Sequence, residues 1–430
     1  MSCEKTSKKR LLFITTRLFW PADSGRKVVL YHYCKGLANR LGYEVHLFSF
    51  LEGDQTPVLA VNKPSFIASV SLASPVGAAE KVANLCSAVF NPLMPFQCCL
   101  FMSRANRHAL ADLIKDLKPN VVMVDMVRLA PYLDGLSTYQ CAKVINFDDL
   151  LSKRYRRQIG KTGGAILGKY GSQAGGFMKS IVTGPLKDRV LTVEANRCER
   201  AETHYASLSD ASLLISSVET SELSSRIGGK SCFCATMGAE VTSVSSGKPY
   251  LYDLGFVGNL HTAANQDSLR LLVREILPLL PGRTLQVIGV CPDEVMRAYE
   301  DVDSVNFTGR VDNVSEHLGR CKVLLAPFVY GTGIKTKVLE AMGMGVPVVT
   351  NSIGLEGISA KVGKDVLCAE DSNGLAHEAL RLLDDDKLRM SVAANGRNYV
   401  MSTHTWDKSI NELGKCLEYT EASSEGCVVR

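Results

Sequence analysis

Along the chain, short apolar runs alternate with longer stretches in which apolar residues recur every three or four positions. Runs such as Val121-Val122-Met123-Val124 have no polar interruption, as expected of strands buried on both faces of a parallel sheet. In the first half the pattern predicts strands over 11–16, 44–50, 120–124, 143–147, 211–215 and 232–236. Helices at about 26–41, 104–117 and 186–206 lie between them. The second half repeats the scheme, with strands over 253–257, 284–288, 304–308, 322–326 and 346–350. Its helices fall near 264–279, 335–343, 371–384 and 386–400. Alternation of this kind predicts a doubly wound α/β domain in each half. The Ser- and Gly-containing stretch Thr242 to Pro249 reads as the linker between them, and the Gly/Ser-rich segment 160–184 as a loop inside the first domain.

Composition narrows the class. The 430 residues are 46% hydrophobic and 22% charged, enough for two separate cores. No apolar run approaches the roughly 20 residues that a membrane span needs. The basic N-terminus is followed by a short apolar run, Leu11 to Thr16, that stops at Arg17. It reads as a first strand, not as a signal peptide, and the protein as cytoplasmic. The fourteen cysteines are scattered, with only Cys98-Cys99 and Cys232-x-Cys234 close together. That spacing predicts neither a zinc site nor a disulfide framework, and no metal site is expected. Net charge is uneven: residues 1–235 carry +11 and the remainder −6, giving +5 overall. The densest basic stretch, Lys153 to Arg189, is read either as a face for phosphorylated or membrane-surface partners or as a solvated helix and loop.

In open parallel sheets, ligands bind at the carboxyl ends of the strands. After strand 322–326 come Pro327-Phe328-Val329-Tyr330-Gly331-Thr332-Gly333-Ile334-Lys335-Thr336-Lys337, and a helix. Gly331 and Gly333 let backbone N–H groups approach a ligand, and a helix start favours an anion. Lys335 and Lys337 oppose the helix dipole, so an anionic ligand gives them a reason to be there. This predicts a diphosphate cradle, although the P-loop pattern is absent. Glu340, further along the same helix, is placed to accept hydrogen bonds from ribose hydroxyls. In the first half, Asp125 and the pair Asp148-Asp149 follow strands. They are candidates to orient an acceptor hydroxyl or sugar, and Asp149 could equally cap the next helix. Arg154 and Arg157 are candidates for a phosphate on the acceptor. Asp301-x-Asp303 matches a metal-binding DxD only formally and reads as surface acid.

The stretch Gly331 to Gly357, ending Pro347-Val348-Val349-Thr350-Asn351-Ser352-Ile353-Gly354-Leu355-Glu356-Gly357, resembles the donor-site signature of the group 1 glycosyltransferases. These form the large retaining GT-B family often called family 4. Phe256-Val257-Gly258-Asn259-Leu260 resembles the opening strand and glycine turn of that family's donor domain. Residues 285–289 and Val305 to Val311 resemble its next two strands, and Pro21 to Arg26 its N-domain glycine loop. Residues 144–157 and 194–223 are similar to a subgroup seen in polysaccharide and lipopolysaccharide assembly.

The resemblance implies two Rossmann-like domains facing across a cleft. An acceptor domain would span 1–245 and a donor domain 246–404, with a last helix, 405–430, crossing back and anchored by Trp406. It implies that Lys335 and Lys337 bind the donor diphosphate with Gly331 and Gly333, and that Glu340 holds the ribose. Gly309, Arg310 and Val311 would lie near the nucleobase, and Gly25 would offer N–H groups to the leaving phosphate or the sugar. By position at strand ends and by charge, not by the resemblance, Asp125 and Asp149 are read with Lys337 as the catalytic groups, and Asp148, Arg154 and Arg157 as the acceptor side. The implied reaction is retaining, metal-independent transfer from a nucleotide-diphosphate sugar to a glycan or lipid-linked acceptor. No cofactor is implied beyond that co-substrate. The basic charge of the first domain, not the resemblance, suggests contact with the inner membrane surface, and no nucleic-acid partner is expected. Many relatives carry two glutamates seven residues apart; Glu340 matches the second, whereas Thr332 stands at the first. A nucleotide-sugar 2-epimerase on the same fold, or a non-catalytic scaffold that keeps the donor fold, are the competing readings. A dehydrogenase is disfavoured because no G-x-G-x-x-G follows the first strand.

Overall fold

The structure is a computed structural model and describes residues 8–22, 25–53, 55–160, 187–229, 231–239, 249–330 and 333–425, with residues 423–425 described by backbone only. The chain forms two compact units, residues 1–236 with 409–430, and residues 237–408. Most of the expected linker, and nearly all of the glycine-rich segment 160–184, lie outside the described residues.

The first unit is built on a seven-stranded sheet of order β3-β2-β1-β4-β5-β6-β7, parallel throughout. The strands are β1 Arg10–Thr15, β2 Glu44–Ser49, β3 Ile67–Leu72, β4 Val121–Asp125, β5 Ala142–Asp148, β6 Ala211–Leu214 and β7 Cys232–Cys234. Every residue of β4 is buried, which explains its uninterrupted apolar run. β3, Ile-Ala-Ser-Val-Ser-Leu, was not among the expected strands. It is an edge strand with five of its six residues at least partly exposed, and its serines weaken the apolar signal. The helix Ala78–Phe90 that follows it was likewise not expected.

The second unit has a six-stranded parallel sheet of order β10-β9-β8-β11-β12-β13. Its strands are β8 Tyr252–Val257, β9 Leu285–Ile288, β10 Val305–Phe307, β11 Cys321–Ala326, β12 Val348–Thr350 and β13 Leu367–Cys368. Along β11, Val323 and Leu325 join one core while Leu324 and Ala326 join the other, so the pleat buries successive residues on opposite faces. The expected single helix over 264–279 is instead an α-helix, Ala263–Leu271, a π-turn, Leu272–Ile276, and a 3-10 turn, Leu277–Leu279. Pro278 supplies no N–H, so the ladder cannot continue unchanged there.

In both sheets the strand order reverses beside the first strand, between β1 and β4 and between β8 and β11. That is the point where doubly wound sheets open a crevice for ligands.

The last helix, Trp406–Glu425, divides between the units. Trp406 lies against Gly238 in the second unit, where a Cβ on the glycine would stand 2.5 Å from the indole. From Ser409 onward the helix belongs to the first unit. Ile410 fills the space over Gly36, Tyr43 Oη donates to Glu421 at 2.8 Å, and Lys9 pairs with Glu421 at 2.6 Å. A Cβ on Gly36 would stand 2.4 Å from Ile410. Gly36→Val is therefore expected to destabilise the first unit by about 1–3 kcal/mol, the usual cost of overpacking. Urea unfolding followed by far-ultraviolet circular dichroism measures this, and an unchanged midpoint contradicts it.

Candidate active site

At the carboxyl edge of the second sheet, the helix Thr336–Met344 begins just after β11, with Lys335 as its N-cap. Lys335 is nearly buried; its Nζ donates to Gly333 O at 2.7 Å and lies 3.8 Å from the Glu356 carboxylate. Lys337 reaches across the point of strand reversal. Its Nζ donates to Val257 O, at the end of β8, at 2.9 Å and to Asn265 Oδ1 at 3.0 Å. It also lies 4.9 Å from the Phe328 ring centre and 5.2 Å from that of Phe256. Burial, and then the nearby Lys335 charge, lower the Lys337 ammonium to a pKa of about 8. Two cations thus share one semi-enclosed edge, which favours an anion there.

The surrounding loops hold this arrangement. Asn351 Nδ2 donates to Phe328 O at 2.7 Å, and its Oδ1 accepts from Phe328 N and Gly354 N at 3.4 and 3.2 Å. Phe328 is thereby fixed beneath Lys337. A Cβ on Gly354 would overlap Thr350 Oγ1 at 1.9 Å and press on Phe328, so the glycine in this loop is required by packing. Asn265 Nδ2 donates to Asn259 O at 2.8 Å, which ties the turn after β8 to the lysine. Gly289, at φ +130°, approaches Gly258 so closely that a Cβ would stand 2.4 Å from its carbonyl oxygen. The turns after β8 and β9 are therefore backbone-lined.

Of the other expected donor residues, Glu340 is exposed, one turn beyond Lys337 on the same helix. Gly309, in a left-handed turn at φ +67°, Arg310 and Val311 follow β10, at the far end of the same edge. Gly331 and Thr332 lie outside the described residues. Asp301 of the formal DxD forks with Arg274 at 2.6 Å on the surface.

The first sheet carries a buried ionic cluster on its carboxyl edge. Asp125, ending β4, and Asp148, ending β5, both bind the guanidinium of Arg26, from the helix Gly25–Asn39. The Arg26–Asp148 contact is 2.6 Å. Thr16 Oγ1 donates to Asp125 at 3.5 Å. Met126 and Asp148 have φ of +64° and +68°. Such conformations are costly for residues with a Cβ and gather at functional sites. Burial raises the Asp148 carboxyl to about 6, with Arg26 opposing and Asp149 and Asp125 adding to the rise. Arg26 Nε, Asp149 Oδ1 and both amide atoms of Asn146 are buried with no hydrogen-bond partner among the described residues.

Asp149 does not cap the next helix. The N-cap of Leu151–Arg156 is Leu150, and Glu202 instead receives Ser152 N at 2.9 Å and Ser152 Oγ at 2.6 Å. Asp149 pairs with Arg154, whose Nε donates to it at 2.8 Å. Arg156 is bound to Glu199 at 3.1 Å and Lys153 to Glu222 at 2.9 Å. Three cations of the basic stretch are thus engaged by carboxylates of the same unit. Arg157 closes this helix, and Gly25 is exposed at the start of the helix that carries Arg26.

Sequence reasoning brought Lys335, Lys337, Asp125 and Asp148 to the carboxyl edges but missed Arg26, Asn265 and the two rings around Lys337. Arg26 was legible only as the second residue of a helix after β1. Its two partners come from strands about a hundred residues away.

Residues 252–385 match the glycosyl transferases group 1 family. Solved structures similar to the whole chain include the sucrose-phosphate synthase of Thermosynechococcus elongatus, at TM-score 0.67 and 13% identity, covering 97% of this chain and 100% of that one. A glycosyltransferase of Rickettsia africae matches at TM-score 0.64 and 10% identity, over 96% and 99% of the two chains. The Anabaena protein HepE in complex with UDP matches at TM-score 0.61 and 11% identity, over 95% and 99%. A group 1 glycosyl transferase domain therefore occupies the second unit of a chain with the two-domain, Rossmann-like GT-B fold, and the protein is a glycosyltransferase.

Proposed function

We propose that the protein transfers a sugar, with retention of configuration, from a nucleotide-diphosphate sugar to a glycan or lipid-linked acceptor. Its family 4 type reaction would need no bound metal and would serve polysaccharide or lipopolysaccharide assembly on the cytoplasmic membrane face. The observation that carries this reading is the placement of Lys337, a half-buried ammonium whose hydrogen-bond partners at β8 and Asn265 are neutral. A diphosphate entering over Phe328 meets Lys337 and Lys335 together. As the bond to the sugar breaks, negative charge grows on the leaving diphosphate, and the two ammoniums stabilise it without moving far. Glu340 would take the ribose hydroxyls, and Gly309 to Val311 the base. HepE, a structural neighbour, has been solved with UDP-glucose, which supports a UDP-sugar as the donor class to test first.

In the first unit, Asp125 and Asp148 would orient the acceptor hydroxyl, with Asp149 beside them. The orphaned polar atoms of Arg26, Asn146 and Asp149 support a polar ligand at this edge. Lys153, Arg154 and Arg156 are engaged by carboxylates of the same unit, so membrane attraction would draw on the remaining cations of the basic first half. No helix among the described residues is long and apolar enough to cross a membrane.

Thermal unfolding with UDP, GDP, ADP, CDP and dTDP in turn, with and without EDTA, tests the donor site. One nucleotide at 100 times its dissociation constant is expected to stabilise the fold by about 2.7 kcal/mol, unaffected by EDTA. Absence of a shift with all five sinks the reading.

A further inference from the structure

Beyond the ionic cluster, the first unit has a cavity of about 480 Å³ at the carboxyl ends of β2 and β3. Its volume falls within the roughly 300–1,000 Å³ of small-molecule sites. Phe50 and Leu51 after β2, Leu72 ending β3, Val76, Leu100 and Phe101 form an apolar wall. The wall is pre-formed: Phe50 meets Phe101 edge to face at 5.3 Å and Tyr132 at 6.2 Å, and Phe50 and Phe101 are themselves buried. Among the described residues, Lys81, near the start of the helix Ala78–Phe90, is the one charged residue in the lining.

The cavity is tied to the ionic cluster through neighbouring strands. Phe50 N donates to Thr15 O at 3.1 Å, and the next residue, Thr16, donates to Asp125. In the sheet order β3-β2-β1-β4, the end of β2 is two strand spacings from Asp125, roughly 10 Å. We infer that this cavity holds the apolar part of an amphipathic acceptor, an aliphatic or aromatic aglycone with an anionic group at Lys81. This inference rests on the proposed transfer reaction, in which the acceptor hydroxyl lies at Asp125 and Asp148. A purely polar glycan would leave the Phe50, Leu72 and Phe101 wall facing sugar hydroxyls and without its natural match.

The probe is decyl phosphate, with inorganic phosphate as control, titrated calorimetrically into the full-length protein below the detergent's micelle concentration. Decyl phosphate is expected to bind one to one, and phosphate alone not to bind measurably. Ala73→Trp, which fills the cavity from its lining, and Lys81→Glu, which reverses the cation without touching the core, are each expected to weaken binding at least tenfold. If wild-type protein does not bind decyl phosphate, or both variants bind it as wild type does, the inference is overturned. Nucleotide-induced stabilisation of the same samples separates the two ideas. Its loss in wild type with decyl phosphate still bound would sink the donor-site reading, whereas a normal nucleotide shift without decyl phosphate binding sinks the cavity alone. A normal shift in the variants also shows that they are folded.

Discussion

Lys337→Ala is expected to lower kcat/KM for sugar transfer by about 10²–10³-fold, the loss typical of removing one donor that stabilises charge in the transition state. Lys337→Met, which keeps the volume, should do the same and leave the free protein at least as stable. The ammonium is half-buried beside another cation, and holding its charge there disfavours the folded state. A lysine kept only for packing would show the opposite result, a drop in stability with transfer intact.

The pH dependence carries the same signature. In the folded protein Lys337 gives up its proton near pH 8, whereas an unfolded lysine holds it to about 10.5. Between those values the unfolded chain binds more protons, so the contribution of this residue to stability rises with pH. Nucleotide affinity should move the other way. A bound diphosphate favours the charged form, so affinity is full below about pH 8 and falls by up to tenfold per pH unit above it. Calorimetric titration at pH 7, 8 and 9 reads the slope, and in Lys337→Arg the decline above pH 8 should disappear. A flat profile in wild type would remove Lys337 from the diphosphate site.

That lysine was legible in the sequence because its signal is local: a strand, a glycine turn, and a cation in a helical turn that normally disfavours cations. Its partners were not legible. Val257 and Asn265 lie 80 and 72 residues away, and only the parallel order β8-β11 brings the end of one strand beside the helix after the other. The same contrast runs through the fold. Central strands such as β4 and β11 announce themselves as apolar runs because both faces are covered. β3 at an edge and the two-residue β13 carry too little apolar pattern to stand out, and the cavity between β2 and β3 stayed hidden with them. The break at Leu272 arises where the pattern is helical on both sides, since periodicity does not register one extra residue in a turn. At the carboxyl edge of the first sheet, Asp125 and Asp148 stood out as acids at strand ends. Their left-handed neighbour and own backbone, Met126 and Asp148, left no trace in composition.

Arg26→Ala is the second large effect expected, and it follows from that edge. Arg26 is the guanidinium shared by two buried carboxylates, Asp125 and Asp148, with Asp149 close by. Removing it leaves buried negative charges uncompensated, which typically costs 3–5 kcal/mol, about. The loss should depend on pH in a definite direction. Burial already raises the Asp148 carboxyl to about 6, above an ordinary aspartate, so the folded state binds more protons than the unfolded chain between about pH 4 and 6. Stability from this group is therefore present at low pH and is lost as pH rises through 6. Without Arg26 that carboxyl shifts further up and the window widens towards neutrality. The variant should accordingly be closer to wild type at pH 5 than at pH 8. Urea unfolding at the two pH values reads the difference, and Arg26→Lys should recover part of it. The Asp125→Asn, Asp148→Asn double variant should tolerate Arg26→Ala better than wild type does, because the charges that need the guanidinium are gone. Equal losses at both pH values, or in both backgrounds, would show that Arg26 acts through packing and not as the counter-charge of Asp125 and Asp148.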